Sequence, residues 1–191
     1  MTSITRIVPI AAVSALAAGL GGCAATGLSS DAYEITKAEA AATIAHLSNT
    51  EPEFDGLAAD RAGWAVYPGM MYFQSYLLGG GGGDGLVYNG SGEVVGYSRN
   101  ARLSVGLGSF GQYNDHVVFF ADGETMSGFQ EGGWQVGGEA AAGIFGLGAS
   151  GNMAFTGGRT IVGDPRYSGG FYVAFTFDNY SYNSIDAALS N

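Results

Sequence analysis

Two hydrophobic rhythms divide the chain. Between Asp31 and Leu47 (DAYEITKAEAAATIAHL), Tyr33, Lys37, Ala40, Ile44 and Leu47 recur at alternating spacings of four and three, which predicts a helix with one partly apolar stripe. Asp31 and Glu34 stand at capping-box spacing at its start. Ser48 to Pro52 breaks it, and Glu53 to Arg61 predicts a short second helix. Beyond Gly63 the period falls to two. Trp64 to Pro68 predicts a strand that stops at proline, and Met70 to Leu78 an extended aromatic segment. Leu86 to Tyr88 and Val94-Val95 flank Asn89-Gly90-Ser91-Gly92, a hairpin signal. Leu103, Val105 and Leu107 alternate with Ser104 and Gly106, and Val117 to Phe120 is continuously apolar. Asp122-Gly123 predicts a turn and Thr125 to Gln130 a short helix. Trp134 to Ala142 and Ile144 to Phe155 predict strands of small residues. Phe171, Val173, Phe175 and Phe177 share one face of a last long strand, Tyr172, Ala174 and Thr176 the other. Ser184 to Leu189 predicts a terminal helical turn. The order gives an α+β fold: N-terminal helices followed by a mostly antiparallel, glycine- and aromatic-rich β-sheet or barrel domain.

The first thirty residues follow neither rhythm. Met1 to Arg6 carries one positive charge, Ile7 to Leu20 carries none, and Gly21-Gly22 leads to Cys23, the single cysteine. A basic tip, an apolar run of about 14 residues and a small-residue exit describe a secretory signal, since a spanning helix needs about 20. The alternative, an ordinary helix packed into a domain, is disfavoured because the run is rich in Ala and Gly and has no polar face to turn to water. Leu20-Gly21-Gly22-Cys23 resembles the bacterial lipobox. That resemblance implies cleavage before Cys23 and a diacylglyceryl group on its sulfur, and Ala24 in place of Asp implies sorting to the outer membrane, facing the periplasm. The alternative is a plain secretory signal that leaves a free thiol. The expected organisation is a lipoprotein signal peptide over 1–22, lipidated Cys23 and tether over 23–30, and one domain over 31–191.

Composition narrows the function. Loss of Arg6 with the signal takes the formal charge from −10 to −11, and the remaining basic residues, Lys37, Arg61, Arg99, Arg102, Arg159 and Arg166, are scattered. Nucleic acid is therefore excluded as a partner, and so is polybasic attraction to anionic lipid. With 34 Gly and no G-X-Y period, and with 22 Phe and Tyr, the chain is neither collagenous nor disordered, which leaves tightly turned strands. Gly79 to Gly83 is not followed by a helical pattern or by Gly-Lys-Ser/Thr, so it reads as a glycine-rich bend where backbones pass closely. No catalytic residue is expected. His46 and His116 are far apart, and both are expected in surface or turn positions. Adjacent Asp115 and His116 would point to opposite faces of a strand. No cofactor and no metal is expected, although the plentiful acids leave a carboxylate calcium site open.

Four stretches in order carry a wider resemblance: AADRAGWAVYPGM from Ala58, LLGGGGGDGLVY from Leu77, the block from Gly111 to Ala142, and YSGGFYVAFTFDNYSYNS from Tyr167. Together they resemble the SYLF lipid-binding domain family, with Pro68, Gly82, Gly85, Asp122, Phe129, Gly137, Ala140 and Gly170 in matching places. The resemblance implies phospholipid binding without catalysis. Lys37 and Arg61 are then the basic candidates near the domain's start, and Trp64, Tyr67, Met70, Met71, Tyr72 and Phe73 the apolar lipid contacts, each weighed against a place in the core. The expected function is a membrane phospholipid-binding domain of an outer-membrane lipoprotein. The alternatives are an envelope scaffold that binds a protein partner, a small outer-membrane β-barrel and, more distantly, a periplasmic hydrolase.

Overall fold

The computed structural model describes residues 28–51, 54–59, 61–144, 147–153 and 159–190, so the signal, Cys23 and most of the tether lie outside the described residues. Ser29 opens the first helix, α1 (Ser30–Thr50): its backbone is extended and its Oγ accepts from the Ala32 N–H at 3.2 Å. The cap is therefore two residues earlier than the Asp31/Glu34 spacing predicts, and Asp31 sits in the first turn, where its charge suits the helix dipole. Ala40, Thr43 and Leu47 are buried at spacings of three and four, and form the stripe that meets the sheet. A short helix α2 (Phe54–Ala59) follows and buries Phe54 against Phe119.

Three very long strands make the body: β1 (Gly63–Asn89), β2 (Val94–Phe120) and β5 (Arg159–Ser184). Between β2 and β5 come α3 (Gly123–Gln130), β3 (Gly133–Ile144) and β4 (Leu147–Met153), and α4 (Ile185–Leu189) ends the fold. All pairings among the described residues are antiparallel, in the order β1-β2-β5-β3-β4. Pro68 does not end its strand as predicted. The β1–β2 register shifts between Tyr67 and Met70, so proline and Gly69 are carried in a bulge and pairing resumes at Met70↔Asn114. Asp122 caps α3, its Oδ1 accepting from the Thr125 N–H at 2.8 Å. At Asn89 the side-chain oxygen accepts from both the Ser91 and Glu93 N–H groups, which closes the predicted hairpin.

None of the long strands stays flat. A Cβ on Gly79 would overlap the Phe73 carbonyl, one on Gly81 the Met71 carbonyl, and one on Gly85 the Val66 carbonyl and the Tyr67 ring. The second half of β1 thus lies directly on its first half, and the glycines at every second position face inward. The glycine run is the seam of this contact rather than the bend itself. The bend falls just before it, around Tyr76 to Leu78, level with Gly108 of β2 and, through β2, with residues 172–173 of β5. Gly108 (φ 142°) and Gly170 (φ 98°) supply backbone shapes there that other residues rarely adopt. Each long strand runs out to this bend and returns, giving two layers: 63–75, 109–120 and 159–169 face 79–89, 94–105 and 173–184.

The strand ends are covered on both sides. Val66, Leu86, Val117 and Phe119 pack with Leu28, Ala40, Leu47, Phe54 and Ala188, while their neighbours Ala65, Tyr67, Val87, Val118 and Phe120 pack with Phe129 and Tyr180. A continuous apolar run is what a strand covered on both faces requires, which explains Val117 to Phe120. Gly81→Ala is expected to force the layers apart and cost about 1–3 kcal/mol. Gly111→Ala, whose Cβ would meet nothing within 4 Å, should stay within about 0.5 kcal/mol. Urea denaturation of the two variants checks this pair.

Candidate functional site

Past the reach of the helices the strands alternate, and the alternation is inverted relative to a water-soluble sheet. In β2, Ser104, Gln112 and Asn114 are buried between the layers, while Val105 and Leu107 on the other face are exposed. In β5, Ala174, Thr176 and Asp178 face inward, and Val173 and Phe175 outward. In β1, Met70, Tyr72 and Gln74 face inward, and Met71 and Phe73 outward. The bend adds Tyr76, Leu77 and Leu78. Exposure reaches 82% for Tyr76, 69% for Phe175 and 66% for Leu107. An open cleft of about 520 Å³ at the bend is lined by Tyr76, Leu77, Leu107, Gly108 and Ser109.

Three runs that meet at this end carry no charge, although Glu139 of β3 stands opposite Ala174. Residues 62–83, 103–114 and 167–177 contain no Asp, Glu, Lys or Arg. An apolar patch this continuous is unusual on a water-facing monomeric surface. Tyr76 is the one non-glycine residue with positive φ (54°) among the described residues. It stands at the register shift between Tyr76 and Leu78, so this backbone shape belongs to the bend and presents the ring outward.

Polar groups occupy the space between the layers. Arg102 forks onto Asp178 at 2.8 and 3.0 Å and lies 4.2 Å from the centre of the Tyr72 ring, while the Asn100 amide donates to Asp178 at 3.1 Å. The Ser104 hydroxyl donates to Gln74 across the layers at 2.7 Å, and Tyr67 and Ser98 share a bond of 2.8 Å. Asn100 Oδ1, Gln112 Oε1, Asn114 Oδ1 and both ring nitrogens of His116 are buried without a hydrogen-bond partner.

His116 corrects the expectation of a surface or turn histidine: it lies within β2 and is 1% exposed. Burial, with a smaller contribution from the Arg102 charge, lowers its pKa to about 4, against a weaker opposing pull from Asp178. Asp115 points to the other face, as predicted. It accepts from the Gly69 N–H at 2.9 Å and pairs with Arg166 at 2.7 Å, fastening the Pro68 bulge. The two make no dyad. Among the described residues no three His, Cys, Asp or Glu side chains gather as metal ligands, and no helix is long and apolar enough to cross a membrane.

The structure divides the residues singled out in the sequence. Tyr67, Met70 and Tyr72 are buried in the core, which corrects their reading as lipid contacts: they share the inward face of β1. Trp64 is partly buried and stacks on Tyr88 at 5.7 Å. Met71 and Phe73 are exposed on the opposite face. Lys37 lies exposed on α1 with its ammonium 5.4 Å from the Tyr33 ring, and Arg61 adjoins the hairpin turn at Gly90. Both therefore belong to the helical end, away from the bend. Cys23 lies outside the described residues. Sequence reasoning missed Tyr76, Leu77, Leu78, Val105, Leu107, Val173 and Phe175, although the three uncharged runs were there to connect them. Comparison with protein-family models, curated proteins and solved structures gave no match.

Because the folded-state pKa of His116 lies below the usual 6.5, the unfolded chain binds the extra proton between these values. This contribution to stability is complete above about pH 6.5 and is lost as pH falls towards 4, by about 3 kcal/mol. Denaturation at a series of pH values should show that slope, and His116→Gln should flatten it.

Proposed function

We propose that the chain is a bacterial outer-membrane lipoprotein whose domain binds phospholipid without catalysis, by inserting the bend of its long strands into a bilayer. The observation that carries this reading is the inverted polarity of the bend: apolar side chains outward, polar ones sealed between the layers, and no charge along three neighbouring segments. Lipid rewards that arrangement and water penalises it. Met71 and Phe73 leave one outer face while Val105 and Phe175 leave the other, so only end-on insertion covers them all.

The depth of the collar separates insertion from spanning. From Tyr76 back to Met71 is five residues, about 17 Å at strand rise. Tyr113, directly across from Met71, stands at the rim, where a tyrosine ring suits the headgroup level. About 17 Å matches one leaflet and falls well short of the roughly 30 Å hydrocarbon core. Polar-in, apolar-out alternation is the pattern of a small outer-membrane β-barrel, and that reading is kept as the second. The short collar and the helix-covered far end favour the first.

Headgroup charge has a small part in this mode. Lys37 and Arg61 are at the wrong end, and Arg166 near the rim is already paired with Asp115. The mature chain from Ala24, which retains every described residue, is expected to float with vesicles of zwitterionic phospholipid, with little dependence on salt or on added anionic lipid. Burying one Leu contributes about 1.5–3 kcal/mol, so Leu77→Asp with Leu107→Asp should weaken partitioning at least about tenfold. Tyr76→Gly should also weaken it while leaving the folding stability unreduced, because it relieves the positive φ. No flotation from a folded sample would overturn the lipid reading in favour of an envelope scaffold. Resistance of the unacylated chain to urea extraction would favour the barrel.

A further inference from the structure

We infer that a short file of ordered water runs through the interior of the domain, between the two halves of β2, and supplies the partners of its orphaned polar groups. The inference concerns the inside of the fold and stands apart from the lipid reading. Five side-chain atoms carry it: Asn100 Oδ1, Gln112 Oε1, Asn114 Oδ1 and both ring nitrogens of His116 have no protein partner, on residues between 1% and 4% exposed. One such atom would be a local defect. Five on the inward face of one strand call for a common explanation.

The register and the glycine contacts set these groups at three successive levels. Gly85 lies against the Tyr67 ring; Gly85 pairs with Ser98, Tyr67 pairs with His116, and the Tyr67 and Ser98 hydroxyls share their 2.8 Å bond. Ser98 in one half of β2 is thereby level with His116 in the other. At the next level Gly83 lies against Met70, and their partners in β2 are Asn100 and Asn114. At the third, Gly81 lies against Tyr72, and their partners are Arg102 and Gln112, with Arg102 over the Tyr72 ring. His116, Asn114 and Gln112 thus follow one another along one wall, and Ser98, Asn100 and Arg102 along the other. Two amides share the middle level, each able to donate and accept, yet both carbonyl oxygens stay unpartnered. That is the spacing one bridging water spans.

The chemistry selects a neutral occupant that both donates and accepts. Asn100 Oδ1 needs a donor, because its amide nitrogen already donates to Asp178. A neutral His116 needs a donor at one nitrogen and an acceptor at the other. A cation would serve the oxygens but not the imidazole N–H, and it would share the interior with Arg102. An anion would meet Asp178 and the same carbonyl oxygens. Water meets all these demands and adds no charge where Arg102 and Asp178 already balance. The ends exclude a larger molecule: Phe110 and Ala174 pack together towards the bend, and Phe120, Phe129 and Tyr180 pack together beyond His116.

The test uses the mature chain from Ala24 in solution. Cross-relaxation from water to the Asn114 and Gln112 side-chain amides and to the His116 ring locates long-lived water, and oxygen-17 relaxation dispersion counts it. About three waters are expected in the file, one for each level, each with two to four polar partners. Asn114→Leu with Gln112→Met removes polar groups from two of the three levels. A domain of this size holds about six buried waters, so the double variant should lower the dispersion amplitude by about a third. Absence of cross-relaxation at these side chains in the folded protein would overturn the inference, because the file would be dry. An unchanged amplitude in a folded variant would overturn it too, by placing the long-lived water elsewhere. A bound ion, seen as a mass increment under native mass spectrometry and lost in the variant, would replace water as the occupant with the same consequence. Should the variant fail to fold, cross-relaxation in the unaltered protein decides by itself.

Discussion

The contact of β1 with its own first half is the constraint on which the far end of this domain depends. At Gly79, Gly81 and Gly85 the inward-facing position meets a carbonyl or a ring of the same strand, and there is no volume for a side chain. Any larger residue would hold the halves apart and open the fold at this edge. Because the layers close so tightly here, the bend at Tyr76 to Leu78 is sharp, and the outward side chains on either side of it come together as one collar. The glycine run sets the shape that concentrates apolar surface at one end.

Between the layers the consequence is a polar interior that must satisfy itself. The Arg102–Asp178 fork, braced by Asn100 and by the Tyr72 ring, joins neighbouring strands of one layer to a ring of the other. Removing one partner of such a pair leaves a buried charge uncompensated, a much larger effect than the loss of an exposed pair like Arg99–Asp84. His116, neutral by burial, has neither ring nitrogen partnered, and it marks the place where the interior is least well satisfied.

Much of the element order was legible, and the reasons for the failures are physical. The Asn89 hairpin, the α3 turn and the period of two in β5 followed from spacing and turn chemistry, and so did Ala40 and Leu47 of the α1 stripe, whereas Thr43 joins that stripe and Lys37 is exposed. Pro68 was read as a stop because a proline cannot donate to the ladder, but Asp115 holds the Gly69 N–H across the bulge and the strand goes on. The β2 and β5 alternation was visible, yet a period of two does not say which face is inside. Ordinary expectation puts the apolar face in, and here Val105, Val173 and Phe175 are out. The candidates between Trp64 and Phe73 were consecutive in sequence, whereas the exposed collar takes alternate residues from three strands that are distant in the chain. Only the register brings Leu107 beside Val173 and Leu78 beside Val105.

The hairpin turn also sets an order of assembly. Asn89 binds Ser91 and Glu93 within a few residues, so β1 and β2 can zip outward from it with almost no loop to close. β5 has no such start: its partner in β2 lies far back in the chain, so its pairing carries a large loop-closure entropy and comes late. Until it arrives, the β1–β2 ribbon exposes both Val117 to Phe120 and an unpaired edge, the combination that recruits other chains. The long, folded strands that serve the finished protein therefore create its period of greatest vulnerability to aggregation, and β5 is the segment that ends it.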